Sequence, residues 1–204
     1  MPQRALRGKE KTVGLEHTST LATVNNLGIV HSNQGKLDEA EKVYQRALQG
    51  YEKALGPEHT STLSTVQNLG NLYEKQDKLD EAEEMYKRAL QGYEKALCPE
   101  HTSTLNRVRN LGGLYTKQGM LNEAEKMYQR ALHGYEKVPG LEHTSTLGTA
   151  NNLGVLYMNL DKLDEAEKMY RRALQGREKT IGPEHTSTLN TIDNLGILYT
   201  IKAS

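Results

Sequence analysis

The tripeptide Glu-His-Thr places its histidine at His17, His59, His101, His143 and His185, each 42 positions after the one before (59 − 17 and so on). Asn-Leu-Gly recurs in the same register from Asn26, Asn68, Asn110, Asn152 and Asn194, and Leu-Asx-Glu-Ala from Leu37, Leu79, Leu121 and Leu163. Residues 18–59 and 60–101 agree at 30 of 42 positions. A fixed period of this length marks a repeat array, in which each unit is one supersecondary element that buries its apolar face only against its neighbours. Any fold for this chain must therefore be a stack.

Each unit reads as two helices. The first spans about Thr60 to Gln76, with Leu63, Val66, Leu69, Leu72 and Tyr73 along one stripe. The second spans about Leu79 to Ala96, with Leu79, Ala82, Tyr86, Ala89, Leu90, Tyr93 and Leu97 at steps of three and four. Gly35, Asp77, Gly119 or Asp161 marks the turn between them. Gly-Pro-Glu-His, at Gly56 to His59 and Gly182 to His185, ends one unit and opens the next, since Gly closes a helix and Pro cannot continue one. The following Thr-Ser-Thr offers hydroxyls to the next helix start. Gly70, Ala82 and Ala89 are the expected close contacts within a hairpin, with Tyr73 and Tyr86 filling the space between layers.

The composition suits thin layers. Trp and Phe are absent, so Tyr, Leu and Ala must build the core. Basic and acidic side chains balance at 26 each, which favours neither nucleic acid nor an anionic membrane as partner. No apolar run approaches the roughly 20 residues that span a bilayer, and no signal-peptide pattern opens the chain. Cys98 is the single cysteine, so no disulfide forms within the chain and a reducing compartment, the cytoplasm, is expected.

Leu69, Gly70 and Tyr73, then Ala82, Tyr86 and Ala89, fall at the spacing of the tetratricopeptide signature. The aromatic usual ahead of Leu-Gly is replaced by Val24, Val66, Val108, Ala150 and Ile192, and the usual Phe of the second helix is Tyr. The 42-residue period and the Leu-Gly-Pro-Glu-His link resemble kinesin-light-chain-type repeats, and the near-identity of the units resembles the repeat tails of fungal NOD-like (NB-ARC) signalling proteins. The resemblance implies an all-α, right-handed superhelical solenoid of antiparallel helix pairs. It implies a concave groove, lined by the first helices, that holds a peptide or protein surface. It implies a binding scaffold with no cofactor rather than an enzyme. The expected organisation is a single array, 1–204: a partial repeat 1–17, four repeats at 18–59, 60–101, 102–143 and 144–185, and a partial repeat 186–204. Both ends fall within a unit, as in a segment of a longer array, and end-to-end self-association through the uncapped terminal repeats is expected.

Where near-identical copies differ, the differences carry information. Along the first helices the variable columns are Ala22, Ser64, Asn106, Gly148, Asn190; Asn25, Gln67, Arg109, Asn151, Asp193; Ile29, Asn71, Gly113, Val155, Ile197; Ser32, Glu74, Thr116, Met158, Thr200; and Asn33, Lys75, Lys117, Asn159, Ile201. At about 100° per residue these columns share one arc of about 100°. The second helices hold Glu41, Glu83, Glu125 and Glu167 constant, and Gln49 and Gln91 match Gln175, which argues against uniform drift. The variable arc is therefore the expected ligand-reading groove, beside the invariant row Asn26, Asn68, Asn110, Asn152 and Asn194. An amide both donates and accepts, so that row could grip a peptide backbone or instead bond between units. Arg109, Lys75 and Lys117 are the groove's basic points and Glu74 and Asp193 its acidic ones, which favours a mildly acidic peptide.

The five linker histidines do not form a metal site. They belong to different hairpins, roughly 20 Å apart at 8–10 Å per packed helix, whereas metal bonds are near 2 Å. They are read as loop or helix-start residues. Asp38 with Lys42 and Asp164 with Lys168 are spaced as i,i+4 pairs. Cys98 stands where other units have Gly14, Gly56, Gly140 and Gly182. No P-loop, dinucleotide fingerprint or nucleophile elbow is present.

Overall fold

A computed structural model describes residues 2–137 and 143–203; Gly140 of the expected link series lies outside the described residues. Among the described residues there are ten α-helices and no strand. The first helices of the units are α2 (Thr18–Asn33), α4 (Thr60–Lys75), α6 (Thr102–Lys117), α8 (Thr144–Asn159) and α10 (Thr186–Lys202). The second helices are α1 (Pro2–Thr12), α3 (Leu37–Leu55), α5 (Leu79–Ala96), α7 (Leu121–Lys137) and α9 (Leu163–Ile181). The chain forms two compact units, Met1–Pro99 with α1 to α5 and Glu100–Ser204 with α6 to α10. No described helix is long and apolar enough to cross a membrane.

Small residues set the spacing within each hairpin. Ala40, Ala47, Ala82, Ala89, Ala124, Ala131, Ala166 and Ala173 are all fully buried. A Cβ added at Gly70 would lie 2.5 Å from the Tyr86 ring, and one at Gly154 would lie 2.6 Å from the Tyr170 ring. The tyrosine of the second helix therefore occupies the volume that the first helix gives up. It also seals the joint to the next layer. In the first unit Tyr44 and Ala40 pack with Leu69 and Leu72 of the following hairpin, with Tyr73 at the rim. In the second, Tyr170 and Ala166 pack with Leu195 and Leu198. Burial pushes the Tyr44 and Tyr170 hydroxyls up to about 12.

The turns follow backbone chemistry. Gly35, Asp77, Gly119 and Asp161 all sit at positive φ (74°, 59°, 74° and 57°). Each closes its helix with the next residue's N–H returning to the carbonyl five back, as Lys78 to Tyr73 at 2.9 Å. Asp tolerates this conformation less well than Gly. Asp77→Gly and Asp161→Gly are each expected to raise stability by roughly 0.5 kcal/mol, after the entropy Gly adds to the unfolded chain, read as a higher melting temperature.

The helix starts differ from the expectation. The histidine ring, not the Thr-Ser-Thr hydroxyls, is the cap: Nδ1 of His17, His59, His101, His143 and His185 accepts the N–H two residues on at 3.1–3.2 Å. The last Thr of the triplet turns back instead, and Thr20, Thr62 and Thr188 donate to the carbonyls of Gly14, Gly56 and Gly182 at 2.8 Å. The histidine column is thus a capping column, and no group of His, Cys, Asp or Glu among the described residues is arranged to hold a metal. His59→Ala should cost about 1 kcal/mol, as other cap losses do, measured by urea denaturation. At Cys98 the Gly-specific link is lost: φ is 158°, against 89° at Gly56 and 90° at Gly182, and α5 ends one residue short of α3 and α9.

Ion pairs run between repeats as well as along single helices, as Lys87 with Glu83 at 2.6 Å. Glu16 with Lys53 and Glu58 with Lys95 each close at 2.7 Å, and Glu100 pairs with Lys137 in the same way. The expected Asp164–Lys168 pair is not the one formed: Asp164 meets Lys202 at 2.7 Å. Glu167 takes bonds from Lys202, Tyr199 and Arg171, which hold its carboxyl down at about 2.

Candidate protein-interaction face

The variable arc of the first helices and the asparagine row beside it are part exposed and part half-buried. Asn26, Ile29, Asn33, Asn71, Lys75, Lys117, Asn159 and Asp193 are exposed. Asn25, Ser64, Asn68, Glu74, Asn106, Arg109, Asn110, Gly113, Asn151, Asn152 and Asn194 are half-buried. Three members belong more to the interior. Gln67 is only 4% exposed and donates from Nε2 to Asn71 Oδ1 at 3.1 Å, so it cannot read a ligand as expected. Val155 and Met158 pack against the Tyr170 cluster.

The invariant asparagines have a structural task where their partner column permits it. Asn68 Nδ2 donates to Asn25 Oδ1 at 3.1 Å, and Asn194 Nδ2 donates to Asn151 Oδ1 at 3.4 Å. Both bonds join a first helix to the first helix of the preceding repeat. The row therefore bonds between units at these two steps, and both partners are the residues that vary elsewhere.

In the first unit the α2–α4 junction opens a recess of about 220 Å³ lined by Ala22, Asn25, Asn26, Tyr51, Ser64 and neighbouring threonines. Tyr51 and its equivalents reach this face from the second helix. Tyr93 Oη bonds Ser64 Oγ at 2.7 Å, and Tyr135 Oη donates to Asn106 Oδ1 at 2.5 Å. These second-helix tyrosines are not among the residues expected from the first helices. The signal was present in the column Lys9, Tyr51, Tyr93, Tyr135 and Arg177, which changes at both of its outermost members. Farther along α4, Tyr86 Oη bonds both Asn71 Oδ1 (2.7 Å) and Glu74 Oε2 (2.6 Å). Burial first, then Glu74, pushes the Tyr86 hydroxyl far up, so it stays a protonated donor.

The constancy of the second-helix glutamates has a structural cause. Glu41 accepts from Tyr73 Oη at 3.3 Å and lies 3.7 Å from Lys78; Glu125 pairs with Lys162 at 3.0 Å. Their invariance does not measure drift on a free surface. Gln49, Gln91 and Gln175 are exposed and alike, but His133 takes that place in the third repeat, so the contrast with the first helices is one of degree.

Residues 3–95 and 100–157 match the tetratricopeptide repeat family, and a second profile of that description matches residues 146–187. The chain belongs to the tetratricopeptide repeat family. Among solved structures it is similar to BtubC (BKLC) from P. vanneervenii, with a TM-score of 0.83 and 23% identity over 98% of this chain and 80% of that one. It is also similar to a putative kinesin light chain with nearly identical TPR-like repeats from Podospora anserina. Two crystal structures of that protein give TM-scores of 0.79 and 0.78 at 25% and 24% identity, over 92% of this chain and 88% and 89% of theirs. No curated protein matches the chain. Tetratricopeptide repeats generally mediate protein–protein interaction and are typically non-enzymatic scaffolds. The likeness to kinesin-light-chain-like repeats agrees with the 42-residue period.

Proposed function

We propose that the exposed arc of the first helices binds an extended segment of a protein partner, as the cytoplasmic ligand-sensing repeat segment of a larger signalling protein of the NOD-like kind. The observation that supports the binding reading is that, within the first helices, copy-to-copy variation gathers on a partly accessible arc rich in amides, while the Leu21, Leu27 and Gly28 columns stay constant. Amides and hydroxyls lining the recess at the α2–α4 junction supply donors and acceptors for a peptide backbone. A cargo-adaptor role of the kinesin-light-chain kind is the alternative, supported by the likeness to the Podospora putative kinesin light chain, whose TPR-like repeats are also nearly identical.

The test is selection of random peptides displayed on phage against the chain, followed by affinity measurement with a selected synthetic peptide. Arg109→Glu with Lys117→Glu should weaken binding at least tenfold, by loss of charge-assisted contacts worth roughly 1.5 kcal/mol or more. Gln49→Glu with Gln91→Glu, on exposed second-helix positions, should leave it unchanged. Equal affinity across all variants would remove the reading.

End-to-end self-association is a second reading with its own observation. Leu189 (47% exposed) is open, whereas the equivalent Leu147 (2%) packs against Gly176. Gly8, the counterpart of Gly176 in α1, has nothing near it. A second copy could join these halves. Sedimentation at rising concentration should then show association, which Leu189→Lys abolishes; a monomer throughout would discard this reading.

A further inference from the structure

The second unit carries an arrangement that the copy comparison alone does not show. At the column where other first helices have Ala22, Ser64, Asn106 and Asn190, α8 has Gly148. A Cβ placed on Gly148 would lie 3.8 Å from Arg109 Nη1 and 4.0 Å from Arg177 Nη2. Arg109 comes from α6 and Arg177 from α9, so two guanidinium groups converge from separate helices on the gap left by the missing side chain.

Arg177 occupies the column of Tyr51, Tyr93 and Tyr135. Its Nη1 donates to Ser187 O at 2.7 Å and to Thr191 Oγ1, both neutral acceptors. Lys9, the other cation in this column, spends its single ammonium on the equivalent pair, Ser19 O at 3.1 Å and Thr23 Oγ1 at 2.9 Å. Arg177 satisfies that pair with one nitrogen, leaving Nη2 and Nε without a protein acceptor among the described residues. Arg109 makes no hydrogen bond or ion pair with any described residue, and Asp193 on α10 pairs with neither arginine. Burial lowers Arg177 from its ordinary value, the direction of a guanidinium with no carboxylate beside it. Two half-buried cations facing one gap without a counter-charge repel each other, and an anion between them would offset that cost. Guanidinium forks suit the paired oxygens of a carboxylate or phosphoryl group.

We infer that Arg109, Arg177 and the gap over Gly148 form a pocket for an anionic side chain of the bound partner segment, a carboxylate or a phosphoryl group. This rests on the first-helix face being the binding face, and it adds to that reading the charge of the residue read by the second unit.

The experiment follows the Arg109 and Arg177 Nε–Hε signals and the Gly148 amide by NMR on the full chain. The probes are three acetylated, amidated tripeptides with alanine on both sides of glutamate, phosphoserine or glutamine. The glutamate and phosphoserine peptides should shift all three signals and the glutamine peptide should not; the tighter of the two anions identifies the source. Arg177→Tyr, which restores the residue of the other units, should weaken the anion response at least tenfold, as should Gly148→Asn, which fills the gap. An equal response to glutamine, or full affinity in Arg177→Tyr, would overturn the pocket. The phage selection separates this from the wider reading. An anion response without first-helix-dependent peptide binding keeps the pocket and removes the groove. Peptide binding that ignores the charge series keeps the groove and removes the pocket.

Discussion

Tyr86→Ala is expected to destabilise the chain by about 3–5 kcal/mol, the range for deleting a fully buried aromatic side chain. Tyr86 is 1% exposed, and its ring fills the space that Gly70 leaves in the facing helix. Removal opens a cavity and takes away one donor each from Asn71 Oδ1 and Glu74 Oε2. In a repeat stack each unit is held by its neighbours, so the loss should appear as early unfolding around α4 and α5. Urea denaturation read by circular dichroism gives the total, and hydrogen exchange gives the location. Tyr73→Ala, at a half-buried rim position, should cost much less.

The second large effect is a contrast within one helix. Gly154→Ala should destabilise by about 1–3 kcal/mol, because its Cβ would meet the buried Tyr170 ring at 2.6 Å and that ring has no room to retreat. Gly148→Ala in the same helix should stabilise by about 0.5–1 kcal/mol, because its Cβ would make only ordinary contacts, at 3.8 and 4.0 Å, and Ala is the better helix former. Opposite signs in the two melting temperatures support the packing account. A gain at both positions would mean that the tyrosine gap is looser than described.

The repeat period made the fold legible, because apolar steps of three and four, broken every 42 residues by Gly-Pro or its variants, leave little besides stacked helical hairpins. The second helix expected from Leu79 to Ala96 is α5. Less legible was how side chains share tasks across a joint. The histidine column reads as loop or helix-start residues from the sequence, and geometry settles the helix start, with Nδ1 as the cap. Gln67 varies like a surface residue but is buried, with its amide bonded to Asn71 one turn on along its own helix. Glu41 reads from the sequence as a constant exposed position, yet it accepts from a tyrosine one repeat on, a contact that becomes readable only when the columns are placed beside each other in space. Arg177 lies on a second helix, and only the structure shows that its column reaches the first-helix face.

The central claim is that the first-helix arc receives the partner. Its most direct measurement is a map of backbone amide shifts in the labelled chain on titration with a peptide taken from the phage selection. The account predicts shifts concentrated at exposed-arc positions of the first helices, including Asn26, Asn71, Arg109 and Gly148, with the outer positions Gln49, Gln91 and Gln175 unmoved. Shifts centred on those second-helix glutamines, with the first-helix arc silent, would contradict it.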